Sequence, residues 1–181
     1  NMSHEIRTPM NGVLGCVELL SNTQLSVEQQ QYLGTVRSSG QSLLSLLDDI
    51  LDLSKIEAGK LTLEAQPVDV GALCQEVVAL HGELARQQGI TLGCEIGWDG
   101  AGALLVRGDG GRLRQVLVNL LGNAIKFTPT GPTGDVRLRL RVDGGEDGRL
   151  RLGFTVSDTG VGIAAEAQRR LFEPFEQADG S

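Results

Sequence analysis

Two hydrophobic rhythms divide this chain, and one kind of fold element cannot serve both. From Asn1 to about Glu57 helix breakers are sparse. Apolar residues there recur three and four apart: Ile6, Met10, Val13, Leu14 and Val17, then Leu33, Val36, Leu43, Leu44, Leu47, Ile50, Leu51 and Ile56. The pattern predicts two amphipathic helices. Their connection, "SNTQLS", offers Ser21 and Asn22 as stop residues, and Ser26 with Gln29 three residues on as a capping box for the second helix. A helix from Val27 to Glu57 is ~45 Å long at about 1.5 Å per residue. Each apolar stripe is broader than one partner helix covers, so the expected arrangement is a homodimer in which two hairpins close a four-helix bundle. A monomeric hairpin packed on the rest of the chain is the alternative.

After Gly59 strands and helices alternate. "KLTLEAQPVDV" reads as a strand ending at Pro67, Val70 to Gln88 as a helix closed by Gly89, and "ITLGCEIG" and "ALLVRGD" as short strands. Arg112 to Phe127 reads as a helix stopped by "TPTGPTG". "DVRLRLRVD" and "RLRLGFTVSD" alternate strictly around the turn-rich "GGEDG", which puts Val136, Leu138, Leu140 and Val142 on one face and Arg137, Arg139 and Arg141 on the other. The predicted class is α+β: an N-terminal antiparallel helical hairpin over residues 1–58, then an α/β sandwich over residues 59–181 with helices on one side of the sheet.

Composition removes several function classes. Apolar residues make up 40 % of the 181 and charged residues 22 %, enough for a packed core. The net charge is −7 and the arginines are scattered, so the chain lacks the basic stripe that a nucleic acid demands. Cys16, Cys74 and Cys94 are an odd set without a CxxC pair, which argues against disulfides and a zinc site and for a reducing cytoplasm. No apolar run approaches the ~20 residues that cross a bilayer. Membrane attachment is therefore expected only through a part preceding this sequence.

Several side chains carry chemistry. On a helix His4, Arg7 and Thr8 share a face, Glu5 neighbours His4, and Pro9 removes a backbone donor and bends the turn that carries the imidazole. A largely neutral imidazole offers one ring nitrogen as a nucleophile while a carboxylate takes the proton from the other. A surface histidine on an amphipathic helix has the same sequence. Asn119, Asn123 and Lys126 fall four and three apart, so they share a helix face; amide oxygens suit Mg²⁺ and an ammonium suits phosphate. The opposite face, Val116, Leu117, Leu120, Leu121 and Ile125, is the expected core, although a solvated polar stripe has the same spacing. Asp158 precedes Gly160 and Gly162, which let backbone approach a planar ligand; Asp-Thr-Gly is also ordinary turn composition. Phe172 and Phe175 fit an aromatic pair beside a ligand or core positions equally. His81 has no metal-like partner nearby and reads as structural.

Four stretches, in order, carry a resemblance. "SHEIRTPMNGVLG" resembles the phosphoacceptor histidine box of two-component sensor kinases, hybrid kinases especially. "GDGGRLRQVLVNLLGNAIKFT" resembles the asparagine box of their ATP-binding domain, "SDTGVGI" its first glycine box and "LFEPFEQ" its phenylalanine box. The resemblance implies a protein-histidine kinase in which His4 takes the γ-phosphoryl of ATP, Glu5 accepts its proton and the group passes to an aspartate on a receiver domain. It implies that Asn123 holds Mg²⁺, that Asn119 and Lys126 hold the triphosphate, that Asp158 accepts a hydrogen bond from the adenine amino group, and that Phe172 lies beside the nucleotide lid. Thr8 corresponds to the residue that orients water when such kinases dephosphorylate their receiver. Chaperone-type ATPases of the wider fold carry a glutamate where this chain has Asn119. The sequence stops before the second glycine box, little helix precedes His4, and there is no receiver, so a piece of a longer sensor is expected. A regulatory module that acts by pairing with a partner sensor kinase is the rival reading.

Overall fold

A computed structural model of the chain describes residues 2–100, 102–144 and 150–169, with backbone alone for residues 2–4. Two compact units, Asn1–Thr62 and Leu63–Ser181, are each held by their own contacts.

The first unit is a helical hairpin. Helix α1 spans Met2–Ser21 and includes Pro9; α2 spans Val27–Glu57. The α1 end is closed locally: Ser21 Oγ donates to Val17 O at 2.8 Å and Asn22 Nδ2 to Glu18 O at 3.1 Å. The capping box at the start of α2 forms as the sequence implies, with Gln29 N donating to Ser26 Oγ at 3.2 Å and Ser26 N to Gln29 Oε1 at 2.9 Å. Its far end is a Schellman turn: Gly59 takes φ +62° while Gly59 N and Lys60 N reach back to Ile56 O and Lys55 O. The two helices meet where Leu14 lies over Gly40, whose missing side chain admits it.

The pairing covers only part of the apolar surface. Val17 is buried, yet Val36, Leu43, Leu46 and Ile50 stand 43–59 % exposed along one face of α2, with Tyr32 on the same side. That is the pattern expected of a bundle that needs more than two helices.

The second unit contains β1 Gln66–Asp69, α3 Val70–Gln87, β2 Thr91–Gly97, β3 Leu105–Gly108, α4 Gly110–Phe127, β4 Asp135–Gly144, β5 Leu150–Asp158 and α5 Ala165–Gln168. β2, β4 and β5 form a sheet in that order, β2 parallel and β5 antiparallel to β4, while β1 and β3 make a separate antiparallel ribbon. The alternation in β4 sorts as expected: Val136, Leu138 and Leu140 are buried and Arg137, Arg139 and Arg141 exposed. On the open face Glu95 meets Arg137 and Arg139 at 3.1 and 2.8 Å, and Arg137 also meets Asp135 at 2.7 Å; these exposed pairs contribute little to stability. On the other face α3 and α4 close a core containing Val70, Leu73, Cys74, Val77, Leu117, Leu121 and Ile125.

Three expectations are corrected, the third at the start of α4. The strand read over Lys60 to Pro67 starts only at Gln66 and runs through Pro67, because pairing is set by β3, which is four residues long and registers Pro67 with Arg107. In a two-stranded ribbon the missing proline N–H can face solvent, so the residue is tolerated. Val116 and Leu120, read as core, are 54 % and 45 % exposed; Leu113 and Val118 pack against the core instead. The turn between β4 and β5 lies at 145–149, outside the described residues.

Helix α4 also begins earlier than Arg112, because Asp109 is its N-cap. Its Oδ1 accepts from Arg112 N at 2.9 Å and its Oδ2 from Glu64 N at 3.2 Å. These backbone donors hold the carboxyl below its usual range, the Arg112 N–H foremost. A depressed folded-state value contributes stability that is present above the unfolded value, near pH 4, and is lost as pH falls through the folded one. Asp109→Ala is therefore expected to lower the urea midpoint at about pH 7, with the gap from the parent closing below about pH 4. Denaturation curves of both proteins across that range check it.

Candidate functional site

In the hairpin unit, His4 stands in the first turn of α1; its side chain lies outside what the structure describes. Glu5 and Thr8 are exposed on the same helix. Arg7 Nη2 is 2.6 Å from Asp48 Oδ1 on α2, so this cation has a structural partner that ties the two helices.

In the second unit the candidate groups gather at one end of α4. The helix buries Leu117, Leu121, Ala124 and Ile125 and exposes Asn119, Asn123 and Lys126 on the other side. Asn119 and Asn123 make no side-chain hydrogen bond to any described residue, and Lys126 Nζ lies 4.9 Å from the centroid of the Phe127 ring. Two free carboxamides and an ammonium on one stripe form an open surface of hard oxygen donors and positive charge. Val116 and Leu120, exposed on the adjoining arc, add apolar surface beside them.

The loop after β5 is built onto the last turn of that helix. Val161 N donates to Phe127 O at 3.3 Å, and Gly160 N to Asp158 Oδ1 at 2.8 Å. A Cβ on Gly160 would lie 2.6 Å from both Phe127 O and Asp158 Oδ1, so this position admits glycine alone. Gly162 takes φ +71°, where glycine is again favoured. Asp158 pairs across the sheet with Val136, which places it on the face that carries α3 and α4. Its Oδ1 is used within the loop, and Oδ2 makes no hydrogen bond to a described residue. The loop that follows Asp158 thus lies, through Gly160 and Val161, against Phe127 at the C-terminal turn of α4, the helix that carries Asn119, Asn123 and Lys126. Phe172 and Phe175 lie outside the described residues.

Other reactive groups serve the core. Burial pushes the Cys74 thiol up to about 11, with Cys94 adding to the shift, so the thiolate is unfavourable there. His81 bonds Val77 O through Nδ1 at 2.9 Å and reads as structural, as expected. Among the described residues no group of three or more His, Cys, Asp and Glu side chains could hold a metal, and no helix is long and apolar enough to cross a membrane.

Sequence reasoning overlooked two contributors. Asp109 was legible, since an aspartate just before a helix is a common N-cap. Thr159 was not: its partners, Thr133 and Asp135, lie more than twenty residues away in the chain.

Comparison with known proteins finds a family match within each unit. Residues 1–59 match the "His Kinase A (phospho-acceptor) domain" and residues 108–181 the "Histidine kinase-, DNA gyrase B-, and HSP90-like ATPase" family. The sensory/regulatory protein RpfC of Xanthomonas campestris pv. campestris is 43 % identical over 99 % of this chain and 24 % of its own length. The signal transduction histidine-protein kinase BarA of Escherichia coli is 40 % identical over 100 % of this chain and 19 % of its own length. This chain therefore spans about a quarter or less of these relatives. Among solved structures, full-length ShkA in complex with AMPPNP matches at TM-score 0.74 and 41 % identity, covering 99 % of this chain and 36 % of that one. The histidine kinase ThkA in complex with the response regulator TrrA matches at TM-score 0.59 and 26 % identity, covering 97 % and 49 %.

Gly160→Ala tests the loop. The clash with Phe127 O involves rigid backbone, so relief means moving the loop, at a cost of about 1–3 kcal/mol. On the reading of this loop proposed below, nucleotide affinity is expected to fall by about tenfold or more in the variant, as measured by calorimetric titration.

Proposed function

Because the chain belongs to the two-component sensor histidine kinases, carrying their phospho-acceptor and ATPase domains, we propose that it autophosphorylates on His4 from ATP and passes the group to a receiver-domain aspartate. Residues 1–58 serve as the dimerisation and phosphotransfer hairpin, and residues 59–181 as the catalytic domain. The observation that supports this most directly is the convergence of the α4 stripe and the Asp158 loop on one turn, with unpaired carboxamides, an ammonium and a carboxylate oxygen left open.

In this reading Asp158 Oδ2 accepts a hydrogen bond from the adenine amino group, while Gly160 and Gly162 let backbone approach the base. Asn119 and Lys126 hold the triphosphate. Asn123 fits a divalent cation, because its carboxamide is exposed and makes no hydrogen bond to a described residue; Mg²⁺ bound there would neutralise phosphate charge. Phe172, outside the described residues, takes its assignment beside the nucleotide lid from the phenylalanine-box motif alone.

His4 attacks the γ-phosphorus in line through one ring nitrogen, the bond to the leaving β-phosphate oxygen breaks, and Glu5 takes the proton from the other nitrogen. Thr8, one turn along α1, orients water for dephosphorylation of the receiver. The exposed apolar face of α2 closes against a second copy, as bundles of this kind require. Cytoplasmic placement follows from the chemistry, since ATP is the phosphoryl donor.

Incubation of the full-length protein with γ-labelled ATP and Mg²⁺ tests the reaction. Acid-labile, base-stable label is expected on the parent, none on His4→Gln, and a loss of about tenfold or more in Asn123→Ala. Label retained by His4→Gln would remove His4 as the acceptor, and absence of label from the parent would favour pairing with a partner kinase. For the dimer, Ile50→Glu places a charge on the uncovered face and is expected to convert dimer to monomer in sedimentation equilibrium at micromolar concentration.

A further inference from the structure

Recognition of a nucleotide by this site requires two separate pieces of backbone to keep their spacing. The phosphate-facing groups stand on α4, and Asp158 stands at the end of β5. Val161 N ties the loop directly to α4 at Phe127 O, and a second tie, through the segment between α4 and β4, is made by the residue after Asp158. Thr159 Oγ1 accepts from Asp135 N at 2.9 Å and donates to Thr133 O at 3.3 Å, while Thr159 N donates to Asp135 O at 3.1 Å. One exposed side chain thus closes a ring of hydrogen bonds around the first residue of β4 and the segment that leads out of α4.

We infer that Thr159 is a positioning residue that sets the base specificity of the site, by holding Asp158 at a fixed distance from the α4 groups. The inference rests on the reading of Asp158 as the acceptor of the adenine amino group. The Val161 contact to Phe127 O and the tight seat of Gly160 fix the far side of the loop. They do not fix the near side, where β5 ends and the Asp158 side chain departs. There Gly160 N holds Asp158 Oδ1 locally, and the side-chain hydrogen bonds that tie this end of the loop to the segment before β4 and to its first residue are those of Thr159. A threonine suits the task for two reasons: its hydroxyl accepts and donates at once, and its β-branch restricts χ1 so that the hydroxyl stays aimed. Because the residue is exposed, its removal leaves no buried orphan and costs the fold little. Its effect therefore falls on the loop's position rather than on the domain's existence.

The test compares adenosine triphosphate with inosine triphosphate, which carries an oxygen in place of the adenine amino group. Dissociation constants are measured on the full-length protein, with melting temperature alongside, for the parent, Asp158→Asn, Thr159→Val and Thr159→Ser. The parent is expected to prefer the adenine nucleotide by about tenfold or more, and Asp158→Asn to abolish the preference. Thr159→Val, which keeps the branch and loses the hydroxyl, is expected to reduce the preference by about fivefold or more with affinity for inosine triphosphate unchanged. Thr159→Ser restores the preference to within about twofold of the parent. A Thr159→Val protein that keeps the parent's preference overturns the inference. So does one that loses both nucleotides equally, because that is a general loss of structure, and so does a Thr159→Ser protein that fails to restore it. If Asp158→Asn leaves the preference intact, the reading of Asp158 falls and the inference falls with it; that outcome is distinct because it appears in a variant with Thr159 untouched.

Discussion

Everything in the second unit depends on one helix having two incompatible faces. α4 must bury Leu117, Leu121, Ala124 and Ile125 against the sheet while keeping Asn119, Asn123 and Lys126 in water. Fully burying a leucine or isoleucine is worth about 1.5–3 kcal/mol, so the apolar residues set the helix's rotation about its axis and allow it little freedom. The polar stripe inherits that rotation without needing bonds of its own. This is why three side chains without mutual contacts can still form a site: hydrophobic packing on the far side of the cylinder supplies their alignment.

The ends of α4 show the same economy. At its start Asp109 joins the helix to the segment before β1 through Glu64 N. At its finish Phe127 O receives the loop after β5, and the buried Thr128 hydroxyl donates to Ala124 O at 2.7 Å. Gly131 N donates to Gln88 O, which ties the outgoing loop to the end of α3 beside Gly89. Loops that would otherwise be free are thus pinned by backbone groups whose own partners ran out at the helix end. A site made of loops acquires the rigidity of a helix terminus.

These features were legible in the sequence to the degree that they are local. The start of α2 was readable because Ser26 and Gln29 act three residues apart, and its end because only a glycine accepts the turn at Gly59. The sorting of β4 was readable because each strand residue declares its own face. Where a partner decides, the reading failed. "KLTLE" alternates well enough for a strand, but no described strand pairs with it, and the ribbon begins where β3 begins. Val116 and Leu120 have helical spacing for a core, yet the apolar arc they extend is wider than a sheet of three strands covers. Thr159 gives no local signal, since its role exists only once β5 has returned beside β4.

The composition of α4 also bears on which reaction the site favours. Hydrolysis of a bound triphosphate needs a base to take a proton from water, and a carboxylate on the ligand-facing stripe is the simple way to supply it. The eighteen residues of α4 include no aspartate or glutamate, and its exposed polar stripe carries Asn119 and Asn123 instead. A carboxamide orients a ligand but does not accept a proton at neutral pH. On the proposed reading, α4 holds the nucleotide without itself supplying a base for water, and the γ-phosphoryl waits for a nucleophile carrying its own proton acceptor. On the proposed reading the hairpin brings both together, His4 with Glu5 beside it in sequence.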